Sequence, residues 1–284
     1  MYDNTTSRSE IIKPVQSLFD LRVKELWSYR DLLFMWVKRD FTANYKQTIL
    51  GPLWFLIQPL LTTIMFTIVF GSFAGLSTDG QPKIVFYLGG ITIWNYFSES
   101  FTRTATVFKD NAGIFGKVYF PRLVMPLSIV VSNLIRFAIQ FSLFIGFLIY
   151  FRITGSEAVR PNIMVLLTPF LLILMAGFAL GGGMVISALT TKYRDLIFLL
   201  TFGVQLFLYA TPVIYPISSL ADKYKPFVLA NPLTSVVETF RYAYLGTGTF
   251  STGSLLYSTI FMLVLLFAGV MIFNRVEKNF MDTV

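Results

Sequence analysis

Residues 163–189 read IMVLLTPFLLILMAGFALGGGMVISAL, twenty-seven consecutive positions without a charged side chain. About 20 apolar residues, rising ~1.5 Å each as a helix, cross the ~30 Å hydrocarbon core of a bilayer, so this stretch reads as a membrane span. Five more runs of comparable length flank it, at roughly 52–73, 84–101, 123–149, 196–216 and 255–273. The second is the weakest, because Thr92, Asn95, Ser98 and Glu99 interrupt it. Composition agrees: the 284 residues are 55% hydrophobic, 17% aromatic and only 13% charged. A soluble globule of that make-up would lack the mostly polar skin it needs. The expected fold class is an all-α membrane protein with six transmembrane helices.

The chain has no Cys and no His, which excludes disulfides, thiol nucleophiles, imidazole bases and metal sites built on nitrogen or sulfur. Its net charge of +8 fits cations stationed at an anionic bilayer surface better than a nucleic-acid partner. If the six spans alternate, sixteen Lys and Arg fall on one side and six on the other, with Arg136 inside the third span. That asymmetry puts both termini in the cytoplasm. The first 46 residues show no apolar core ahead of a cleavage site, so the N-terminus is expected to stay on the side of synthesis.

Residues 1–14 read as a tail and 15–284 as one transmembrane domain, without internal repeat or low-complexity tract. Within 15–40 apolar residues such as Leu18, Leu21, Trp36 and Val37 are mixed with charges, which predicts an amphipathic helix lying in the interface before the turn at Gly51-Pro52. Residues 102–122 form a basic loop long enough for a short helix. The segment 217–254 contains semi-apolar pieces too short to span, which predicts one or two re-entrant or interfacial helices between the fifth and sixth spans.

At ~100° per residue, Phe55, Gln58, Thr62, Phe66, Phe70 and Phe73 share one stripe of the first span. Phe198, Thr201, Gln205, Tyr209 and Pro212 share one on the fifth. Amides and hydroxyls facing lipid would cost free energy. These stripes therefore face either a neighbouring helix or a wet passage. Rings that stack on sugar faces, interleaved with groups that hydrogen-bond sugar hydroxyls, suit a conduit that binds a long polar polymer weakly at many points. Arg136 shares a face with Asn133 and Gln140, and Glu99 is the acid nearest to hand; a structural ion pair is favoured over a substrate contact. Gly181-Gly182-Gly183 reads as close helix packing, since no Lys follows it. Gly116-Lys117 likewise lacks the spacing of a phosphate loop, so any ATP-driven motor is another chain.

Several motifs, in order, resemble the membrane subunit of bacterial ABC exporters for cell-surface polysaccharides such as O-antigen, capsule or teichoic acid. They are Lys38-Arg39-Asp40-Phe41, Tyr45-Lys46-Gln47-Thr48 and Leu50-Gly51-Pro52-Leu53-Trp54 to Gln58-Pro59, then Asn111-Ala112 with Lys117-Val118-Tyr119-Phe120-Pro121-Arg122. Lys192-Tyr193-Arg194-Asp195, Pro212-Val213-Ile214-Tyr215-Pro216 and Asn231-Pro232 to Phe240-Arg241 complete the series. Thr42-Ala43-Asn44 is less basic than that pattern.

The resemblance implies a homodimer in the bacterial inner membrane with two copies of a separate ABC ATPase, which carries the ATP and Mg; this chain itself binds no cofactor and no metal. It implies a coupling helix at about 103–118, with Lys109, Asp110, Asn111 and Phe115 as ATPase contacts, and outer re-entrant gate helices at about 226–246. The implied substrate is a lipid-linked glycan. Its anionic head would meet Arg39, Lys46, Lys117 and Arg122, while its sugars thread past Phe55, Gln58, Thr62, Phe66, Phe70, Phe198, Thr201, Gln205 and Tyr209. Two alternatives stand beside this reading. One is an exporter of the same architecture for teichoic acid, a small drug or a lipid. The other is an integral membrane enzyme acting on lipid-linked sugars, against which the scattered acids Glu99, Asp195 and Glu238 offer no acid–base pair.

Overall fold

The computed structural model describes residues 23–45, 48–115, 120–155, 158–193 and 195–280. Every regular element among them is a helix. Helices α1 (Val23–Ser28) and α2 (Arg30–Tyr45) lead to α3 (Trp54–Phe66), which widens into a π-helical turn over Thr67–Phe73. Then come α4 (Lys83–Ala105), the single-turn helices α5 (Val107–Asp110) and α6 (Ala112–Phe115), and α7 (Val124–Ile153). The chain continues through α8 (Thr168–Lys192), α9 (Leu196–Ala210), α10 (Lys225–Ala230), α11 (Pro232–Leu245) and α12 (Thr252–Phe280).

Among the described residues, four helical stretches are long and apolar enough to cross a membrane: Gly51–Phe73, Val124–Ile153, Ile163–Lys192 and Thr252–Val276. They coincide with the first, third, fourth and sixth runs expected from the sequence. The second run forms α4, whose 23 residues reach about 35 Å. Every residue of α4 from Val85 to Trp94 is buried, which explains its weak hydropathy. Within this packed setting Asn95 donates to Gln140 of α7, and Thr92 bonds back to the Leu88 carbonyl at 2.7 Å. Gly90 allows the close approach on one side, since a Cβ there would lie 2.7 Å from the Val213 carbonyl oxygen.

The fifth run is shorter than expected. Its helix ends at Ala210, six residues before the expected boundary at 216. Pro212 has no N–H to continue the ladder and biases the residue before it to extended backbone; Thr211 adopts φ −106°, ψ 139°. The remaining 15 residues measure about 22 Å, less than a hydrocarbon core.

Gly181 lies where α8 crosses α12, and a Cβ there would meet the Leu266 backbone nitrogen at 2.7 Å. Backbones this close gain dispersion contacts that lipid cannot match, as the glycine triplet suggested. The expected interfacial segment corresponds, within the described residues, to α1 and α2, with 15–22 outside them. The expected coupling segment is not one helix: 103–105 still belong to α4, α5 and α6 follow, and 116–118 lie outside the described residues. The stretch expected to hold short outer helices carries α10 and α11.

Candidate functional site

Polar residues within the apolar runs of α4 and α7 pair with one another. Asn95 donates to the Gln140 side chain at 3.2 Å and Asn133 to Ser100 at 3.1 Å. Between these, Arg136 reaches Glu99 at 3.3 Å, with its guanidinium 4.9 Å from the Phe55 ring of α3. The three polar ties form one seam, each worth roughly 0.6–2 kcal/mol in lipid. They explain how a cation is tolerated in the third run: it is paired and shielded by an aromatic face.

The two sequence stripes differ in setting. On the first, Phe55 lies under Arg136, and Phe66 packs edge-on against Tyr87 of α4 at 6.2 Å and against Phe70 at 5.2 Å. Gln58 is exposed and its carbonyl accepts the Thr62 hydroxyl at 3.0 Å. The aromatic edge of this stripe thus leans on α4 and α7, while Gln58 and Phe73 point away. On α9, Phe198, Thr201, Gln205 and Tyr209 are all exposed, Phe198 to 81%; Pro212, expected on the same stripe, is buried beyond the helix end. Helix α4 supports both faces, because Phe207 of α9 packs against Trp94 and Phe97 at 6.0 and 6.2 Å.

At the other end of α4, Asp40 of α2 is buried between two guanidinium groups. Arg39 donates to its Oδ1 at 2.8 Å and Arg103 to its Oδ2 at 3.1 Å. Arg39 also covers the Trp36 ring at 3.6 Å. A small polar cavity of 190 Å³ opens beside them, bordered by Asp110, Asn111 and Ser128. Of the proposed head-group cations, Arg39 is therefore engaged by Asp40 while half-exposed, and Arg122 is buried with its guanidinium 5.5 Å from Phe115. Lys46 and Lys117 lie outside the described residues.

Of the proposed ATPase contacts, Lys109 and Asp110 are exposed, the latter accepting from Thr106 at 2.6 Å. Asn111 binds the Val107 carbonyl at 3.0 Å. Phe115 faces inward and stacks on Phe120. Phe108 stacks on Phe273 of α12 at 4.5 Å and Thr190 of α8 bonds the Ala105 carbonyl at 2.8 Å. Phe108 thus ties α5 to α12, while Thr190 ties the end of α4 to α8, against which α5 also lies.

At the opposite end, Arg241 and Glu238 of α11 pair at 2.6 Å, and Arg241 also donates to the carbonyls of Pro212 at 2.8 Å and Val213 at 3.2 Å. Glu238 accepts the Thr249 N–H at 3.0 Å. Asn231 caps α11 by accepting the Leu233 N–H and donates to Thr211 at 2.9 Å. The turn after α9 is therefore fastened to α11 at several points. The sequence places Glu238 among scattered acids and Arg241 at the end of a motif; their i, i+3 spacing on an apolar helix is the available signal of a pair. Asp40 and Arg103, 63 positions apart, gave none.

Residues 31–245 match the family described as ABC-2 type transporter. The chain is similar to the O-antigen export system permease protein RfbA of Klebsiella pneumoniae, 29% identical over 253 residues that cover 89% of this chain and 94% of that protein. The protein of the same name from Myxococcus xanthus is 28% identical over 92% of this chain and 98% of its own. The polysialic acid transport protein KpsM of Escherichia coli is 24% identical over 84% and 91% respectively.

Proposed function

The chain belongs to the ABC-2 type transporter family of membrane proteins, and from that premise we propose that it is the permease subunit of an ATP-driven exporter carrying a lipid-linked, O-antigen-like polysaccharide across the bacterial inner membrane. The observation that carries this reading is coverage: O-antigen export permeases align along nearly their whole length, so the likeness extends to the whole membrane subunit. The exposed ring, amide and hydroxyl face of α9 supports a polysaccharide cargo.

In this reading two copies associate, and two copies of a separate ABC ATPase, holding ATP and Mg, dock at the side of the membrane that also holds both termini. Six spans cross the bilayer, with α4 second and α9 fifth; α9 is completed by the turn through Pro212, and α10 and α11 dip in from the outer face without crossing. Lys109, Asp110, Asn111 and Phe115 receive the ATPase stroke. Because α5 follows directly on α4, stacks on α12 through Phe108 and lies against α8, a push there moves helices rather than a loop. Arg39, Lys46 and Lys117 draw the anionic lipid head to the surface, each contributing on the order of 1 kcal/mol; Arg122, buried against Phe115, backs this group from inside the fold. The sugar chain then passes between the α3 residues Phe55, Gln58, Thr62, Phe66 and Phe70 and the α9 residues Phe198, Thr201, Gln205 and Tyr209, drawn from the two copies.

The test is to purify a tagged chain in mild detergent from its source cells and to measure surface polysaccharide after deleting its gene. An ABC ATPase recovered in equal amount, and lipid-linked glycan accumulating inside the deletant, are expected. Recovery of the chain alone with unchanged surface glycan would overturn the assignment.

A further inference from the structure

Between α9 and the rest of the bundle lies a cavity of 510 Å³, framed by Phe97 and Phe101 of α4, Gly182 of α8, Gly203 and Val204 of α9, and Phe261 of α12. Among the described residues that line it, none carries a polar side chain. Water needs two to four polar partners to occupy such a space, and an empty slot would forfeit the dispersion contacts of its walls. Along α9 it runs from Leu196 to Phe207, about 16 Å at 1.5 Å per residue. That length suits a hydrocarbon chain.

Its two ends differ. Pro232 and Leu233 of α11 close one end. At the other, Leu189 and Leu196 flank the sequence Lys192-Tyr193-Arg194-Asp195, whose formal charge is positive and in which Lys192 is exposed. We propose that this slot holds a hydrocarbon chain of a resident anionic bilayer lipid, entering from the leaflet at the Lys192 end with its head group on Lys192 and its tail ending beneath α11. The exported lipid is disfavoured because the slot is on the far side of α9 from the polar stripe: Gly203 and Gln205 point ~160° apart on the helix. The choice of the inner leaflet rests on the orientation given under Proposed function; the apolar site itself does not.

The experiment is native mass spectrometry of the full-length chain exchanged from detergent into nanodiscs of dioleoyl phosphatidylglycerol or dioleoyl phosphatidylcholine. Wild type is expected to retain phosphatidylglycerol at one per chain and at least ten-fold more than phosphatidylcholine. Gly203→Phe, where a side chain projects into open space, is expected to lose both lipids. Leu206→Phe, off the slot on the same helix, leaves retention unchanged, and Lys192→Gln removes only the preference for phosphatidylglycerol. Retention by folded Gly203→Phe at the wild-type level overturns the site, and an unchanged preference in Lys192→Gln overturns the head-group contact. A phosphatidylglycerol with a diazirine near its tail end, photolysed on wild type, adds a readout free of folding effects. Label on Phe101, Val204 or Phe261 supports the slot, and label confined to the α3 and α7 surfaces overturns it. None of these readouts requires the ATPase or a glycan. A chain that fails to export yet keeps its lipid would therefore sink the proposed function and leave this site standing.

Discussion

Arg241 and Glu238, one turn apart on α11, meet at 2.6 Å with 2% of either side chain exposed. The guanidinium also stacks over Phe86 at 4.1 Å and holds the Pro212 and Val213 carbonyls. One ion pair thus joins α11, α4 and the turn that ends α9. Removing a single member leaves an unpaired buried charge, at a cost of about 3–5 kcal/mol. Arg241→Leu is expected to lower the thermal unfolding midpoint in detergent sharply, and Arg241→Leu combined with Glu238→Leu to recover part of the loss. Equal midpoints for the single and double variants would show that Glu238 is not what Arg241 neutralises.

Asp40 connects α2 with the end of α4 through Arg103. A double-mutant cycle of Asp40→Asn and Arg103→Gln is expected to give a coupling of about 1–2 kcal/mol, within the range of contacting pairs. Additive effects would remove the link between these helices.

Phe66 and Tyr209 separate packing from transport. Phe66 is wedged against Tyr87, so Phe66→Ala should cost roughly 1–3 kcal/mol of stability as well as slow export. The stability cost follows from a partly buried aromatic side chain losing its contacts. Tyr209 is 43% exposed, so Tyr209→Ala should slow export several-fold and leave the melting curve of the purified chain unchanged. Glycan transport into vesicles, read beside thermal unfolding, decides it; full export by Tyr209→Ala would remove α9 from the passage.

Gly181 admits no side chain, because the α12 backbone lies within 2.7 Å of its missing Cβ. Gly181→Leu should abolish recovery of monodisperse protein on size exclusion. Gly146→Leu on α7, with open space around it, should be tolerated.

The pairing of Arg136 with Glu99 was legible because both lie in apolar runs where an unpaired charge is expensive, leaving few candidates. The packing role of Gly181-Gly182-Gly183 was legible for a similar reason: three small residues between apolar runs have little to offer except close approach. The first stripe was only half legible. Periodicity groups Phe55, Gln58, Thr62, Phe66 and Phe70 on one side of a helix, but it cannot say that the phenylalanines lean on α4 and α7 while Gln58 points outward. The end of α9 was not legible, because hydropathy continues through Val213 and Ile214, whereas Pro212 stops the helix.

The chain alone determined that this is a helical membrane protein and where its long apolar helices lie, because bilayer thickness and the cost of bare backbone in hydrocarbon act on each stretch separately. Only the tertiary structure decided which polar groups meet. Asp40 finds Arg103 across 63 positions and Arg241 finds the Pro212 carbonyl across 29. Such contacts depend on how helices are placed around α4, and no local pattern of residues encodes that placement.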